Sequence, residues 1–132
     1  MISSITGIDY KILEDNITIY INEIPIDNKN EKFKKCDFIL KIDKDNIINL
    51  KINTQSYTDM IIKNLSYVFG LYSRNTKKGE KYNDNFVVTQ INIDCFNNDK
   101  DALTEYVLRS KDEDYIYTES FKIYTLNVYK CY

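Results

Sequence analysis

Residues 37–53, DFILKIDKDNIINLKIN, decide the fold. Asp37–Ile42 reads as a strand, Asp43–Asn46 carries turn chemistry, and Ile47–Asn53 returns as a second strand, so the segment is a β-hairpin. Ile48, Leu50 and Ile52 share one face of the returning strand, and Lys51 and Asn53 share the other. Upstream, Ile17, Ile19 and Ile21 alternate with Thr18, Tyr20 and Asn22, the pattern of a half-buried strand. Pro25 and the polar run Asp27–Lys35 form the loop between.

Downstream the period changes from two to that of a helix. Ile61, Leu65, Val68 and Tyr72 recur on one helical face, with Met60, Phe69 and Leu71 widening the stripe, and predict one long helix over about 57–78. Ser56 or Thr58 is expected to cap it, with Asp59 at the positive dipole end. Lys77 and Lys78 suit its negative end, and Gly79 suits a left-handed terminator. Gly70, costly inside a helix, is expected to allow close packing on the sheet. Phe86–Ile93 (FVVTQINI) reads as a buried strand, and Glu105–Ser110 and Phe121–Tyr129 as two more, joined through the acidic turn Asp112–Asp114. Strands on both sides of one helix make the chain α+β, a mixed sheet with the 37–53 hairpin at its centre, in a single domain spanning 1–132.

Composition narrows the function classes. The 132 residues hold 43% hydrophobic and 29% charged side chains, a globular balance, and a net charge of −2 gives no basic footprint for generic nucleic-acid binding. The 20 Ile, 16 Lys, 15 Asn and 12 Tyr against 2 Arg indicate AT-rich coding, bacterial or phage. Residues 94–119 carry eight acids and three bases, whereas Arg74–Lys81 carries four bases and one acid. Cys36, Cys95 and Cys131, with no histidine and no CxxC, argue against zinc and for reduced thiols. The start MISSITGIDY has neither the basic beginning nor the apolar core of a signal peptide, and no run reaches the roughly 20 apolar residues of a membrane span. The expected location is the cytoplasm of a bacterial host cell.

Several segments, taken in order, carry a resemblance: Asp37–Leu40 (DFIL), Ile48–Asn53 (INLKIN), Asn64–Phe69 (NLSYVF), Leu71 with Tyr72, Lys78–Tyr82 (KGEKY), Ile91–Phe96 (INIDCF) and Phe121–Lys130. Together they resemble the PD-(D/E)XK nuclease family transposases, the group that includes the recombination-promoting nucleases. The likeness runs from about Ile5 to the end, and 64–96 is its most specific part. It implies a restriction-endonuclease-like core. Relative to that pattern the chain reads as cut down to the core, without the N-terminal helical segment and the C-terminal helices.

In such nucleases an aspartate and a glutamate jointly hold a divalent metal, which clamps phosphate and activates water. Asp37 matches the aspartate, but Lys51 stands at the glutamate position, Asn53 at a glutamine position, and Asn64 where an arginine is usual. A lysine there can pair with Asp37 and take the cation's place. Asp43 and Asp45, in the hairpin turn, lie at the far end of the strands.

The first expectation is therefore a catalytically inactive nuclease-fold protein with vestigial positions Asp37, Lys51 and Asn53 and no metal. It would act as a binding or inhibitory module, of phage or mobile-element origin and anti-CRISPR type. The partner it implies is a protein, such as one of a nucleic-acid-processing or defence complex. Asp112, Glu113, Asp114, Tyr115 and Tyr117 are the candidate partner-binding residues, within a tyrosine cluster that adds Tyr124, Tyr129 and Tyr132. The alternative is a DNA nuclease using Mg²⁺ or Mn²⁺. A third reading is nucleic-acid binding without cleavage, through Arg74, Lys77, Lys78 and Lys81. An exposed sheet edge would also permit a homodimer.

Overall fold

The computed structural model describes residues 1–7, 10–11, 14, 18–24, 34–74, 79, 81–112 and 114–130, with the side chains of 18–24, 34–37 and 130 left aside. The elements are α1 (Ile2–Thr6), β1 (Thr18–Ile24), β2 (Lys34–Lys41), β3 (Asn46–Asn53), α2 (Met60–Arg74), β4 (Val87–Asp94), β5 (Leu103–Arg109) and β6 (Ile116–Asn127), followed by a 3₁₀ turn, Val128–Lys130. The six strands form one mixed sheet in the order β1-β2-β3-β4-β6-β5. β3–β4 and β4–β6 are parallel, and the other three pairings are antiparallel. The fold is α+β, an open mixed sheet with a helix.

The 37–53 hairpin forms, with Phe38 opposite Leu50 and Lys41 opposite Ile47. Its turn is tied by Asp43, whose Oδ1 accepts the Asp45 amide at 2.7 Å while both carboxylate oxygens accept the Asn46 side chain at 3.1 Å. The hairpin is not the centre of the sheet, however. The chain leaves β3, crosses through α2 and returns as β4 parallel to β3, which places β3 and β4 in the middle and β2 outside them. Lys34 and Lys35, expected in a loop, already belong to β2. The rest of that loop, 25–33, lies outside the described residues. β5 and β6 also begin earlier than expected, at Leu103 and Ile116.

Helix α2 begins at Met60 rather than near 57, and the Asp59 carbonyl accepts the Lys63 amide at 3.0 Å. Asp59, not Ser56 or Thr58, therefore occupies the position just before the first helical residue. The expected end at 75–78 lies outside the described residues. Of the apolar stripe, Val68 and Leu71 are buried and Leu65 and Tyr72 pack beside them, but Ile61 is 73% exposed and Phe69 is exposed too. Val68 and Leu71 meet Ile47, Phe86 and Val88 at one end of the central strands. Ile61 is two turns earlier and borders an open groove at the other end, so it stays exposed instead of packing on the sheet. A Cβ on Gly70 would meet nothing within 4 Å, so no close approach to the sheet explains that glycine. Gly79 has φ 86°, the left-handed backbone expected of it.

The sheet carries apolar clusters on both faces. Ile39, Ile47, Val88 and Ile123 pack under α2; Leu40, Ile42, Ile48, Ile91 and Tyr124 form the opposite cluster, onto which α1 lays Ile2 and Ile5. Burial on both faces is the condition under which parallel strands are stable. Ile52, expected on the apolar face with Ile48 and Leu50, is exposed near the end of β3. Among the described residues no helix is long and apolar enough to cross a membrane.

Candidate functional site

Beneath the first half of α2, the sheet changes from apolar to polar. Parallel registry sets Asn49 beside Gln90, Lys51 beside Asn92 and Asn53 beside Asp94, and β6 adds Thr125 beside Asn92 and Asn127 beside Asp94. Asn49, Gln90, Asn92 and Asn127 are essentially inaccessible, and Asn53, Asp94 and Thr125 are buried. The layer lies toward the C-terminal ends of three parallel strands, the side of an α/β sheet where ligands characteristically bind.

Side chains within the layer hold one another. Asn53 Nδ2 donates to Asp94 Oδ1 at 3.0 Å. Gln90 Nε2 donates to Asn92 Oδ1 and to Asn64 Oδ1 of α2, both at 2.9 Å, while Gln90 Oε1 accepts Asn49 Nδ2 at 3.4 Å. Asn127 Nδ2 donates to Asn98 Oδ1 and to the Lys100 carbonyl, each at 2.9 Å, and so pins the loop after β4 over the strand ends. Asn49 Oδ1 and Asn92 Nδ2 are buried with no hydrogen-bond partner among the described residues. Each such orphan costs about 1–3 kcal/mol, which a layer selected for stability alone would avoid.

Lys51 and Asn53, expected on one strand face, are on it together. Lys51 is half-buried and holds its ammonium 5.3 Å from the centre of the Tyr67 ring, a cation–π contact across to α2. Asp37 belongs to β2, one step beyond the Phe38–Leu50 pair, just as Lys51 is one step beyond Leu50; its side chain, and with it the expected Asp37–Lys51 pairing, lies outside the described residues. A divalent ion of the kind the resemblance implies requires hard oxygen ligands. Lys51 instead brings a cation, and Asn53 presents an N–H donor already committed to Asp94, so these residues do not fit such an ion. Among the described residues no three of His, Cys, Asp and Glu come together.

Beside the layer, between α2 and the β6–β5 side of the sheet, opens a groove of about 430 Å³. Met60, Ile61 and Leu65 form one wall, Tyr106 and Leu108 the other, and Phe121 with Ile123 the floor; Asn92, Asp94 and Thr125 supply its polar end and Lys100 its rim. Phe121 is braced edge-to-face by Phe69 at 5.7 Å.

The other expected sites are dispersed. Arg74 and Lys81 are exposed, and Lys77 and Lys78 lie outside the described residues. At the β5–β6 turn Asp112, Asp114, Tyr115 and Tyr117 are all exposed, with Glu113 outside the described residues. Asp114 adopts φ 50°, a left-handed conformation that aspartate tolerates, and its Oδ1 meets Arg109 at 3.0 Å. The Ser110 and Tyr115 backbones close the turn at 2.8 Å. The tyrosines are not one cluster: Tyr124 is buried on the α1 face, Tyr129 is exposed beyond β6, and Tyr132 lies outside the described residues.

Sequence reasoning missed the layer and the groove. The available signal was a matched spacing, polar residues at 49, 51 and 53 and again at 90, 92 and 94, each set on one face of a strand otherwise apolar on both. Comparison with family models, with curated proteins and with solved structures finds no match to this chain.

Proposed function

We propose that the chain is a non-cleaving binding protein on a restriction-endonuclease-like core with α2 as its one long helix, its partner a protein of a nucleic-acid-processing or defence complex. A phage or mobile-element inhibitor of anti-CRISPR type, working in a bacterial cytoplasm, fits this reading. The observation that carries it is the seat of Lys51: at the position where the resemblance implies a metal-holding glutamate, an ammonium group rests on Tyr67. The chain order of hairpin, helix and buried strand, which the resemblance implies, supports the core assignment. Asp112, Asp114, Tyr115 and Tyr117 offer a partner exposed carboxylates beside exposed aromatic area, the pairing that gives charge steering and contact energy at an interface.

Two measurements test it together. The purified chain should leave single- and double-stranded DNA and RNA intact with Mg²⁺ or Mn²⁺. A pull-down from the host should capture a protein that is lost on changing Asp112 and Asp114 to Lys and retained on changing Asp37 to Ala. Cleavage abolished by Asp37→Ala would instead establish a metal-dependent nuclease, for which the buried carboxyl of Asp94, on the same face as Lys51, is the available second acid.

A further inference from the structure

The sheet ends at β5, and no described strand pairs with its outer edge. The large apolar side chains of this strand are partly exposed: Leu103, Tyr106, Val107 and Leu108 are 45%, 43%, 37% and 42% exposed. An edge strand with four large partly exposed apolar side chains and neither proline nor glycine can template pairing with another chain, although its own pairing with β6 shifts register on both sides of Leu108.

The sequence of the strand, LTEYVLR over 103–109, identifies which chain it fits. Glu105 and Arg109 lie two residues either side of Val107. Let a second copy add antiparallel about a twofold axis through Val107, normal to the sheet. Glu105 of each copy then falls opposite Arg109 of the other, Tyr106 falls opposite Leu108, and Val107 meets Val107. A twofold through Tyr106 would leave Arg109 opposite Leu103 and Glu105 opposite Val107, and one through Glu105 would set like charges face to face. The strand is thus self-complementary in one register, as an isologous interface requires.

The neighbouring groups are compatible. Arg109 gives one nitrogen to Asp114, and a guanidinium has further N–H donors for a second carboxylate. Among the described residues Glu105 receives one long 3.4 Å bond, from the Tyr124 hydroxyl to Oε1. Tyr106 of each copy, which walls the groove with Leu108, would face Leu108 of the other across the axis.

We propose that β5 is a homodimer interface, two copies adding edge to edge about Val107 so that their six-stranded sheets become one. The proposal is separate from the partner-binding reading, which uses the turn beyond Arg109. Sedimentation of the full chain from micromolar to millimolar concentration should show reversible dimerisation. Val107→Lys, at a half-exposed position, should leave the circular dichroism unchanged and the chain monomeric. Glu105→Arg and Arg109→Glu should each weaken the dimer about tenfold, and the two together in one chain should recover most of that loss. A chain that stays monomeric throughout, a dimer indifferent to Val107→Lys, or a charge exchange without recovery would overturn the proposal.

Discussion

The Asn53–Asp94 bond offers the sharpest measure of how the polar layer is held. Asn53 is 7% exposed and Asp94 3%, and their 3.0 Å contact bridges the two central strands at their C-terminal ends. Asn53→Ala removes the donor and leaves a buried carboxyl oxygen without it, a loss of about 2 kcal/mol by the usual range for hydrogen bonds to acidic groups. For a chain of this length that lowers the midpoint of thermal unfolding by roughly 6–10 °C. Asp94→Asn keeps the volume and an accepting oxygen, so it should cost less than about 1 kcal/mol, whereas Asp94→Ala should resemble Asn53→Ala. Urea unfolding of both alanine variants and their combination completes a double-mutant cycle. The coupling should reach about 1 kcal/mol, because each single change orphans the other partner and the double change orphans neither. An additive cycle, or a loss under about 0.5 kcal/mol for Asn53→Ala, would refute the claim that this bond holds the strand ends together.

Gly70→Ala should stabilise the fold by about 0.5–1 kcal/mol in urea titrations, since the site is helical and the added methyl meets nothing. Burial raises the phenol pKa of Tyr72 and, together with the Glu105 carboxylate, that of Tyr124. Both ionise more readily unfolded, so stability is whole below about pH 10 and falls as pH rises through the folded values; Tyr72→Phe and Tyr124→Phe should each flatten that decline. Burial pushes the Asp43 carboxyl up, but hydrogen bonds from Asp45 and Asn46 and the charge of Lys44 outweigh it and hold its pKa below 3.8. That contribution is present above about pH 4 and lost as pH falls through the folded value, so Asp43→Asn should make acid unfolding less steep at its onset.

The hairpin and the helix were legible because their periods are local. Alternation in 37–53 and recurrence at Leu65, Val68 and Tyr72 depend on neighbours close in sequence. Placement of β4 was not: nothing in FVVTQINI says it lies parallel to β3, and that pairing alone moves the hairpin off the centre of the sheet. The same pairing built the layer. Gln90 and Asn92 read as interruptions of a buried strand until registry set them beside Asn49 and Lys51, so the polar face is a product of long-range pairing. Ile61 misled for a related reason, since a helical stripe specifies a face but not how far the sheet beneath it stays apolar.

The layer also fixes that pairing. A one-residue slip of β4 on β3 would turn Gln90, Asn92 and Asp94 into the cluster of Leu40, Ile48 and Tyr124, or else strip them of Asn49 and Asn53. Either outcome buries polar groups without partners, so only one register survives. Within that register the residue at 51 decides the character of the face. With lysine, the pair of positions 51 and 94 contributes one basic and one acidic side chain, and Lys51 has the Tyr67 ring to rest on. With glutamate, two carboxyls would share a buried face one strand apart, an arrangement that repels unless a hard cation sits between them. Lysine at 51 thus balances the Asp94 carboxyl with a basic side chain on the same face, where a glutamate would add a second acid.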